Sequence, residues 1–188
     1  MKNKRFVCAL TGTVLLVAAL MVLVCWKLSI SSAQKKSVFY ADTILSLIPD
    51  PIDSVAQERQ NNEMPVLPIG GTDFSGVIEM PRFTSLLPVC ADWGMITKHP
   101  CILNGSIYDG TLKVGATSQK GQYDFYREIS VGDEVFFTDM EGNRYRYEIT
   151  SLRYEKHADD KSFAKEDARL TLFIKNIYAF EYLIVFCN

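Results

Sequence analysis

From residue 74 onward, the sequence consists of short runs of β-branched and aromatic residues separated by turn-forming residues. The clearest example is "DEVFFTDMEGNRYRYEIT" at 133–150, in which two extended runs flank "MEGN". Glycine and asparagine supply the positive φ that a tight turn requires, so this stretch predicts a β-hairpin. Many short strands with few helices predict a mainly β fold, and we expect a small closed or nearly closed β-barrel.

Five further runs are typical of β-strands. The first ends at Pro81, because proline cannot donate to a strand ladder. The runs are "FSGVIEMP" at 74–81, "LLPVCADW" at 86–93, "LKVGATS" at 112–118, "ARLTLFIK" at 168–175 and "EYLIVFCN" at 181–188. Together with the hairpin they supply the strands of the predicted barrel domain, to which we assign residues 71–188.

The N-terminal part of the chain contains an uncharged and mostly apolar run at 6–26. A helix rises about 1.5 Å per residue, so this run is long enough to cross a hydrocarbon core of roughly 30 Å. Lys2, Lys4 and Arg5 precede the run, which favours a cytoplasmic N-terminus. We therefore expect residues 1–27 to be a cytoplasmic tip and a single-pass membrane anchor, with the C-terminal domain outside the cell.

Two other interpretations of the N-terminus are open. The run could be a signal peptide cleaved after "SSA" at 31–33, although signal peptides have apolar regions of about 7–15 residues. It could also be a lipoprotein leader ending at Cys25, but the preceding residue, Val24, is not small. The length of the run favours the uncleaved anchor.

Residues 28–70 are predicted to connect the anchor to the barrel. Apolar residues recur at roughly helical spacing across 34–49, which indicates a juxtamembrane helix that packs on the domain. Pro49 and Pro51 are expected to end this helix. Residues 52–70 are polar and then rich in proline and glycine, which is typical of a linker.

Composition excludes several kinds of function. The formal net charge of −2 gives no electrostatic basis for nucleic-acid binding. The five cysteines contain no CxxC pair, so their spacing favours neither a zinc site nor a disulfide framework. The acidic residues near 159–167 match no defined calcium loop, and no phosphate-binding loop is present. We expect no metal and no cofactor.

A set of motifs occurs in a recognisable order along the barrel region. The motifs are "GVIEMP", "LLPV…DW", "PCILNGSIY", "VGATS", "VGDEVFFTDMEGNRYRYEI" and "LTLF". In this order and spacing the chain resembles the sortases, most closely the class B-like sortases of Gram-positive bacteria. The resemblance covers about residues 74–188, and it implies a sortase-like closed β-barrel preceded by a membrane anchor.

The resemblance also implies a reaction, for which three side chains are needed. Sortases cut a sorting signal such as LPxTG with a cysteine thiolate, a histidine acid and an arginine, and they transfer the acyl part to an amine. The family's "AGH" corresponds to "VGA" here, which places Ala116 at the histidine position. Lys175 stands at the cysteine position and Tyr182 at the arginine position. We therefore expect no sortase catalysis.

Without that chemistry, the resemblance implies a groove lined by Ala116, Thr117, Lys175 and Tyr182. Lys175 would present a cation to a carboxylate, and Tyr182 an aromatic face to an apolar or proline side chain. The expected partners are an extended peptide resembling a sorting signal, a pilin or another surface protein. Equally, these residues could simply fill an obsolete cleft.

An active cysteine transpeptidase that uses displaced residues is the alternative hypothesis. Its candidates are Cys187, on the last predicted strand, and His157, in the polar stretch before 168. Side chains alternate along a strand, so Cys187 is expected to face away from Tyr182 and to be a buried thiol or a partner for Cys101. Lys175 could itself attack a carbonyl, but the product would be a stable amide rather than a labile thioester.

Overall fold

The structure is a computed structural model that describes residues 2–54, 62–156 and 168–188, without the side chains of 2–13 and 26–34. Within these ranges the chain forms one α-helix and ten β-strands. Helix α1 spans Lys2–Leu47. The strands are β1 Ile52–Asp53, β2 Leu67–Ile69, β3 Thr72–Met80, β4 Ser85–Cys90, β5 Cys101–Asn104, β6 Leu112–Thr117, β7 Glu134–Asp139, β8 Asn143–Glu155, β9 Leu170–Lys175 and β10 Tyr182–Cys187. Short 3₁₀ helices occur at Pro81–Phe83, Trp93–Met95 and Tyr126–Glu128.

Eight strands form a closed ring. Their order is β3-β4-β5-β6-β9-β10-β8-β7, and β7 pairs with β3 to close it. The pairs β4–β5 and β6–β9 are parallel, whereas the other pairs of the ring are antiparallel. The prediction of a mainly β, closed barrel is confirmed.

The barrel interior is built by the alternation of side chains along each strand. In β8, Tyr145, Tyr147 and Ile149 are buried in the interior, whereas Arg146 and Glu148 between them are exposed. The same period brings buried apolar side chains from seven of the eight ring strands into one cluster, and the partly buried Ile102 of β5 packs against it. This cluster is the main hydrophobic core.

A second core lies outside the barrel, beneath the C-terminal end of α1. Ala41, Ile44 and Ile48 pack there with Phe74 and Val77 of β3. The helix ends at Leu47, two residues before Pro49, as the sequence predicts. The predicted juxtamembrane helix is not separate, however, because α1 is continuous from Lys2 through the predicted anchor.

The apolar side chains of α1 from Val14 to Val24 that the structure describes are largely exposed. No helix in the described part of the chain combines the length and apolar character that crossing a membrane requires.

The predicted linker is more ordered than its composition suggests. Its described part includes β1, which pairs in parallel with β8, and β2, which pairs with β3. The ladder of β1 is supplied by a distant strand, whereas β2 forms a local hairpin with β3 through Gly70 and Gly71, which both have positive φ. Residues 55–61 of the linker lie outside the described residues.

Asp139 organises the turn of the β7–β8 hairpin. Its buried carboxylate accepts hydrogen bonds from the backbone N–H groups of Glu141 and Asn143, at 2.9 and 2.8 Å, and from the Asn143 side-chain amide at 2.9 Å. The hydroxyls of Tyr108 and Tyr145 donate to the same carboxylate at 3.2 and 3.4 Å. One side chain therefore holds the turn and ties it to the neighbouring loop.

We expect Asp139→Ala to lower the free energy of unfolding by about 3 kcal/mol, because several buried donors lose their acceptor at once. Urea unfolding of the full chain in detergent micelles, followed by tryptophan fluorescence, would measure the change. The control is Glu134→Ala in the same hairpin, whose partly exposed carboxylate accepts from Arg146 at 2.8 Å. Glu134→Ala is expected to lower the free energy of unfolding by less than about 1 kcal/mol. Equal costs for the two variants would contradict the role of Asp139.

Candidate functional site

Three neighbouring strands bring together the residues that the sequence singles out. In the parallel pair β6–β9, Ala116 is in register with Ile174 and Thr117 with Lys175. In the antiparallel pair β9–β10, Lys175 is directly opposite Tyr182. Segments that are far apart in the sequence therefore meet at one end of the sheet.

Strand alternation divides these residues between two faces of the sheet. Ile174 and Leu183 are fully buried in the barrel interior, so their chain neighbours Lys175 and Tyr182 point outward. Thr117 shares the outer face, because it is in register with Lys175. We call the outer face formed by Thr117, Phe173, Lys175 and Tyr182 the outer site.

Ala116 does not belong to the outer site. It is 1% exposed and packs in the interior cluster beside Ile174, its register partner. The sequence expectation that Ala116 lines the groove is therefore corrected, because one residue along a strand reverses the direction of the side chain. Of Ala116 and Thr117, Thr117 is the β6 residue that lies beside Lys175 on the outer face.

The outer site combines a cation with an aromatic surface. Lys175 is exposed, and the rings of Phe173 and Tyr182 stack beside it with centroids 4.7 Å apart and an interplanar angle of 19°. Ile184 and Phe186 continue this cluster along β10 and are fully buried. The face can therefore offer a charge and an apolar platform to the same ligand.

Asn176 fixes the loop between β9 and β10. It is buried, and its side-chain amide donates to the Glu181 carboxylate at 2.8 Å. Its side-chain oxygen accepts from the backbone N–H of Tyr178 at 2.9 Å. The hydroxyl of Ser118 accepts from the backbone N–H of Ile177 at 3.1 Å, which ties the same loop to the end of β6.

Gln122 fixes the other side of the outer site. Its side-chain oxygen accepts from the backbone N–H of Thr117 at 2.8 Å, and its amide donates to the Ile96 carbonyl at 2.9 Å. Gln119 makes a similar hydrogen bond to the Thr97 carbonyl. The segment around Ile96 is thereby held against the end of β6.

Sequence reasoning did not single out Asn176 or Gln122, and it did not predict that Ser118 fixes a loop. All three are nearly fully buried. Gln122 and Ser118 bond groups of other segments, the Ile96 carbonyl and the Ile177 N–H, whereas Asn176 bonds Tyr178 and Glu181 within its own loop. No local sequence signal marks the burial of these side chains.

Of the two displaced catalytic candidates, the structure describes only Cys187, and Cys187 does not lie in the outer site. Cys187 is fully buried in the barrel interior, on the opposite side of β10 from Tyr182, and burial raises the pKa of its thiol above the ordinary value. His157 lies outside the described residues. His99 is buried between the rings of Tyr40 and Phe74, and burial lowers its pKa.

A cavity of about 410 Å³ lies elsewhere, lined by Ser54, Tyr145, Arg146, Tyr147, Glu148, Arg169 and Asn188. On β8, the residue that pairs with Tyr182 of the outer site is Glu155, whereas the β8 residues that line the cavity are 145–148. At about 3.3 Å per residue, the cavity is roughly 20 Å from the outer site. Among the described residues, no cluster of three or more His, Cys, Asp or Glu side chains could hold a metal ion.

No protein-family model matches the chain, and no curated protein matches it either. Solved structures do match. Sortase A from Corynebacterium diphtheriae aligns with a TM-score of 0.53 at 17% identity, over 85% of this chain and 83% of that one. Sortase C-3 from Streptococcus pneumoniae aligns with a TM-score of 0.54 at 12% identity, over 85% and 83%.

Sortase C1 from Streptococcus agalactiae aligns with a TM-score of 0.52 at 18% identity, over 64% of this chain and 69% of that one. These structures are named as class A and class C sortases, so the class B-like resemblance rests on the sequence motifs alone. At such low identities the likeness is one of architecture, and it agrees with the closed eight-stranded ring. The chain has the sortase fold.

Proposed function

We propose that the chain is a membrane-anchored protein of the cell surface that binds an extended peptide at the outer site and does not transfer it. The peptide is of the sorting-signal type, or the tail of a pilin or another surface protein. The observation that carries the proposal is the pairing of Lys175 with Tyr182 on the outer face, beside Thr117. By the sequence resemblance, Lys175 and Tyr182 correspond to the cysteine and arginine positions of the sortases.

The strands of the outer site support the absence of transfer. Strands β6, β9 and β10 contain no histidine and no arginine, and their one cysteine is Cys187 in the interior. Loss of a nucleophile or its base lowers the rate of a hydrolase by about 10⁶-fold. A lysine that attacked the peptide would form a stable amide, so turnover would stop after one event.

The binding role is supported by the chemistry of the outer site. An exposed ammonium attracts a carboxylate, and the partly exposed ring of Tyr182, stacked on the buried ring of Phe173, offers an apolar surface for a proline or aliphatic side chain. Asn176 and Gln122 hold the loops on both sides in place, which lowers the entropy lost on binding. An extended peptide with an acidic or free C-terminal end fits these features.

The anchoring and the location rest on the sequence. The run at 6–26 has the length of a membrane-spanning helix, and Lys2, Lys4 and Arg5 precede it. The barrel would then lie outside the cell, where sorting signals and pilins are displayed.

Peptide binding predicts a saturable signal in isothermal titration calorimetry. The full chain in detergent micelles is titrated with LPxTG-like and pilin-tail peptides, each with a free and an amidated C-terminus. We expect the free carboxylate to bind better, and Lys175→Glu to weaken binding by roughly tenfold, since about 1.4 kcal/mol of attraction is lost. Lys36→Glu, an exposed lysine of α1, is the matched control for the charge change. No heat with millimolar peptide would remove the binding claim, and equal affinity for both variants would show that the peptide does not bind at the outer site.

The buried position of Cys187 predicts slow thiol chemistry in the folded protein. A charged methanethiosulfonate reagent at neutral pH should label Cys187 at least about 100-fold more slowly than the introduced thiol in Lys175→Cys, because thiolates react and burial disfavours them. Peptide mapping by mass spectrometry assigns each label. If Cys187 of the parent protein reacts as fast as the thiol in Lys175→Cys, the displaced-nucleophile alternative is revived.

The register of β6 predicts which substitutions create transfer chemistry. The parent protein should not cleave a fluorogenic LPxTG-type peptide above the rate without protein. We expect measurable cleavage from the triple variant Thr117→His, Lys175→Cys, Tyr182→Arg, because its thiol and imidazole share the outer face. The matched triple variant with Ala116→His should stay inactive, since its imidazole enters the interior. Cleavage by the parent protein would refute the proposed function, and cleavage by the Ala116→His variant alone would refute the assignment of faces.

A further inference from the structure

Two buried cysteines face each other outside the barrel. Cys90 is the last residue of β4 and Cys101 the first residue of β5, and the two are register partners in the parallel pair. Neighbouring strands lie about 4.7–4.9 Å apart, which is within the Cα separation of about 4.4–6.8 Å that disulfides span. The backbone N–H of Cys90 also donates to the Pro100 carbonyl at 2.8 Å, so the two strand ends are in direct contact.

The two thiols are neighbours in the outer core. Cys101 donates to the His99 carbonyl at 3.3 Å. The adjacent Cys101 thiol, followed by burial, raises the pKa of the Cys90 thiol above its ordinary value. Both residues are fully buried.

We propose that Cys90 and Cys101 form a disulfide that joins β4 to β5 across the segment 91–100. The presence of the bond in the cell rests on the extracellular location in the proposed function, because disulfides persist in oxidising compartments. The geometry that allows it is a property of the fold and does not depend on peptide binding.

The other described cysteines do not compete for this pairing. Cys187 lies in the barrel interior, whereas Cys90 and Cys101 belong to the outer core beneath α1. The expectation that Cys187 could pair with Cys101 is therefore corrected, since the sheet lies between the two clusters. Cys25 is exposed on α1.

The reaction removes two protons and two electrons from the thiols and forms one sulfur–sulfur bond. The electrons pass to the disulfide of an oxidant, either glutathione disulfide or a thiol–disulfide oxidoreductase, which becomes two thiols. A thiolate of one cysteine attacks that disulfide, forms a mixed disulfide and releases one oxidant thiol. The thiolate of the second cysteine then attacks the sulfur of the first and releases the other oxidant thiol. Because both sulfurs are buried in the folded protein, the exchange takes place during folding, before α1 covers them.

The disulfide would stabilise one wall of the outer site. The segment 91–100 carries Trp93, whose ring occupies the space that a Cβ on Gly115 would need. It also carries the Ile96 carbonyl, to which Gln122 donates while accepting from Thr117. A bond that joins both ends of the segment therefore restricts the residues that position the outer site.

The test is oxidative refolding of the full chain. The reduced chain is unfolded, refolded in detergent micelles with reduced and oxidised glutathione, and then alkylated with N-ethylmaleimide in denaturant. We expect a cross-linked peptide pair containing Cys90 and Cys101, while Cys187, Cys8 and Cys25 take up the label. Adding glutathione disulfide to the already folded, reduced protein should give the bond at least about tenfold more slowly, because access to the sulfurs is blocked.

A thermal melt provides the second measurement. Reduction should lower the Tm of the refolded protein by roughly 5–15 °C, as expected for a disulfide that closes a short loop in a chain of this size. Cys187→Ala should show the same shift on reduction, whereas the double variant Cys90→Ala, Cys101→Ala should show none.

Alkylation of both Cys90 and Cys101 after refolding to the native state would overturn the proposal, as would a cross-link to Cys187. Refolding in a defined glutathione buffer does not depend on where the protein resides or on whether it binds peptide. A negative result here therefore leaves the proposed function standing, and failure of the peptide titration leaves the disulfide standing.

Discussion

The structure depends on the closure of the barrel by β7. This strand pairs with β3 on one side and β8 on the other, and without it the sheet would have two open edges. Gly76 of β3 makes the closure possible, because a Cβ there would overlap the Phe137 ring and approach the Thr138 carbonyl at 2.8 Å. The Asp139 carboxylate then holds the end of β7 in its turn.

Closure determines where the outer site is formed. In this ring β9 lies between β6 and β10, and the parallel pairing with β6 places Thr117 beside Lys175. The antiparallel pairing with β10 places Tyr182 on the other side. The site is therefore a consequence of topology, and its loops are secured by buried polar side chains such as Asn176 and Gln122.

A fold can persist while the chemistry of its site differs, because the interior core and the outer face of a strand are encoded by alternate residues. Ile174 and Leu183 stabilise the barrel interior, whereas the exposed Lys175 and the half-buried Tyr182 beside them lie outside that core. Substitution on the outer face can therefore exchange a reactive set of side chains for a cation and a phenol at little cost to packing. The proposed peptide-binding role needs the face and not the reaction.

The amino-acid sequence by itself determined the strands whose signals are local. Alternating apolar residues and turn residues predicted β3, β4, β6, β9, β10 and the β7–β8 hairpin. Both signals are local, because the side-chain period of two and the turn at Gly142 each involve only a few consecutive residues. The motifs also predicted that Ala116, Lys175 and Tyr182 replace the catalytic residues of the sortases that the sequence resembles, and this stays a prediction. The very short strands β1, β2 and β5 were missed. The partner of β1 is the distant strand β8, whereas β2 and β5 pair with the strands that follow them in the chain, β3 and β6, and are too short to show a clear alternation of side chains.

Tertiary structure alone decided the remaining features. The outward direction of Thr117 rather than Ala116 follows from register with β9, and the meeting of Cys90 with Cys101 follows from a parallel pairing. The burial of Asn176 likewise depends on a loop closing over it. Register and pairing are relations between distant segments, and no local pattern in one segment specifies which residue of another lies beside it.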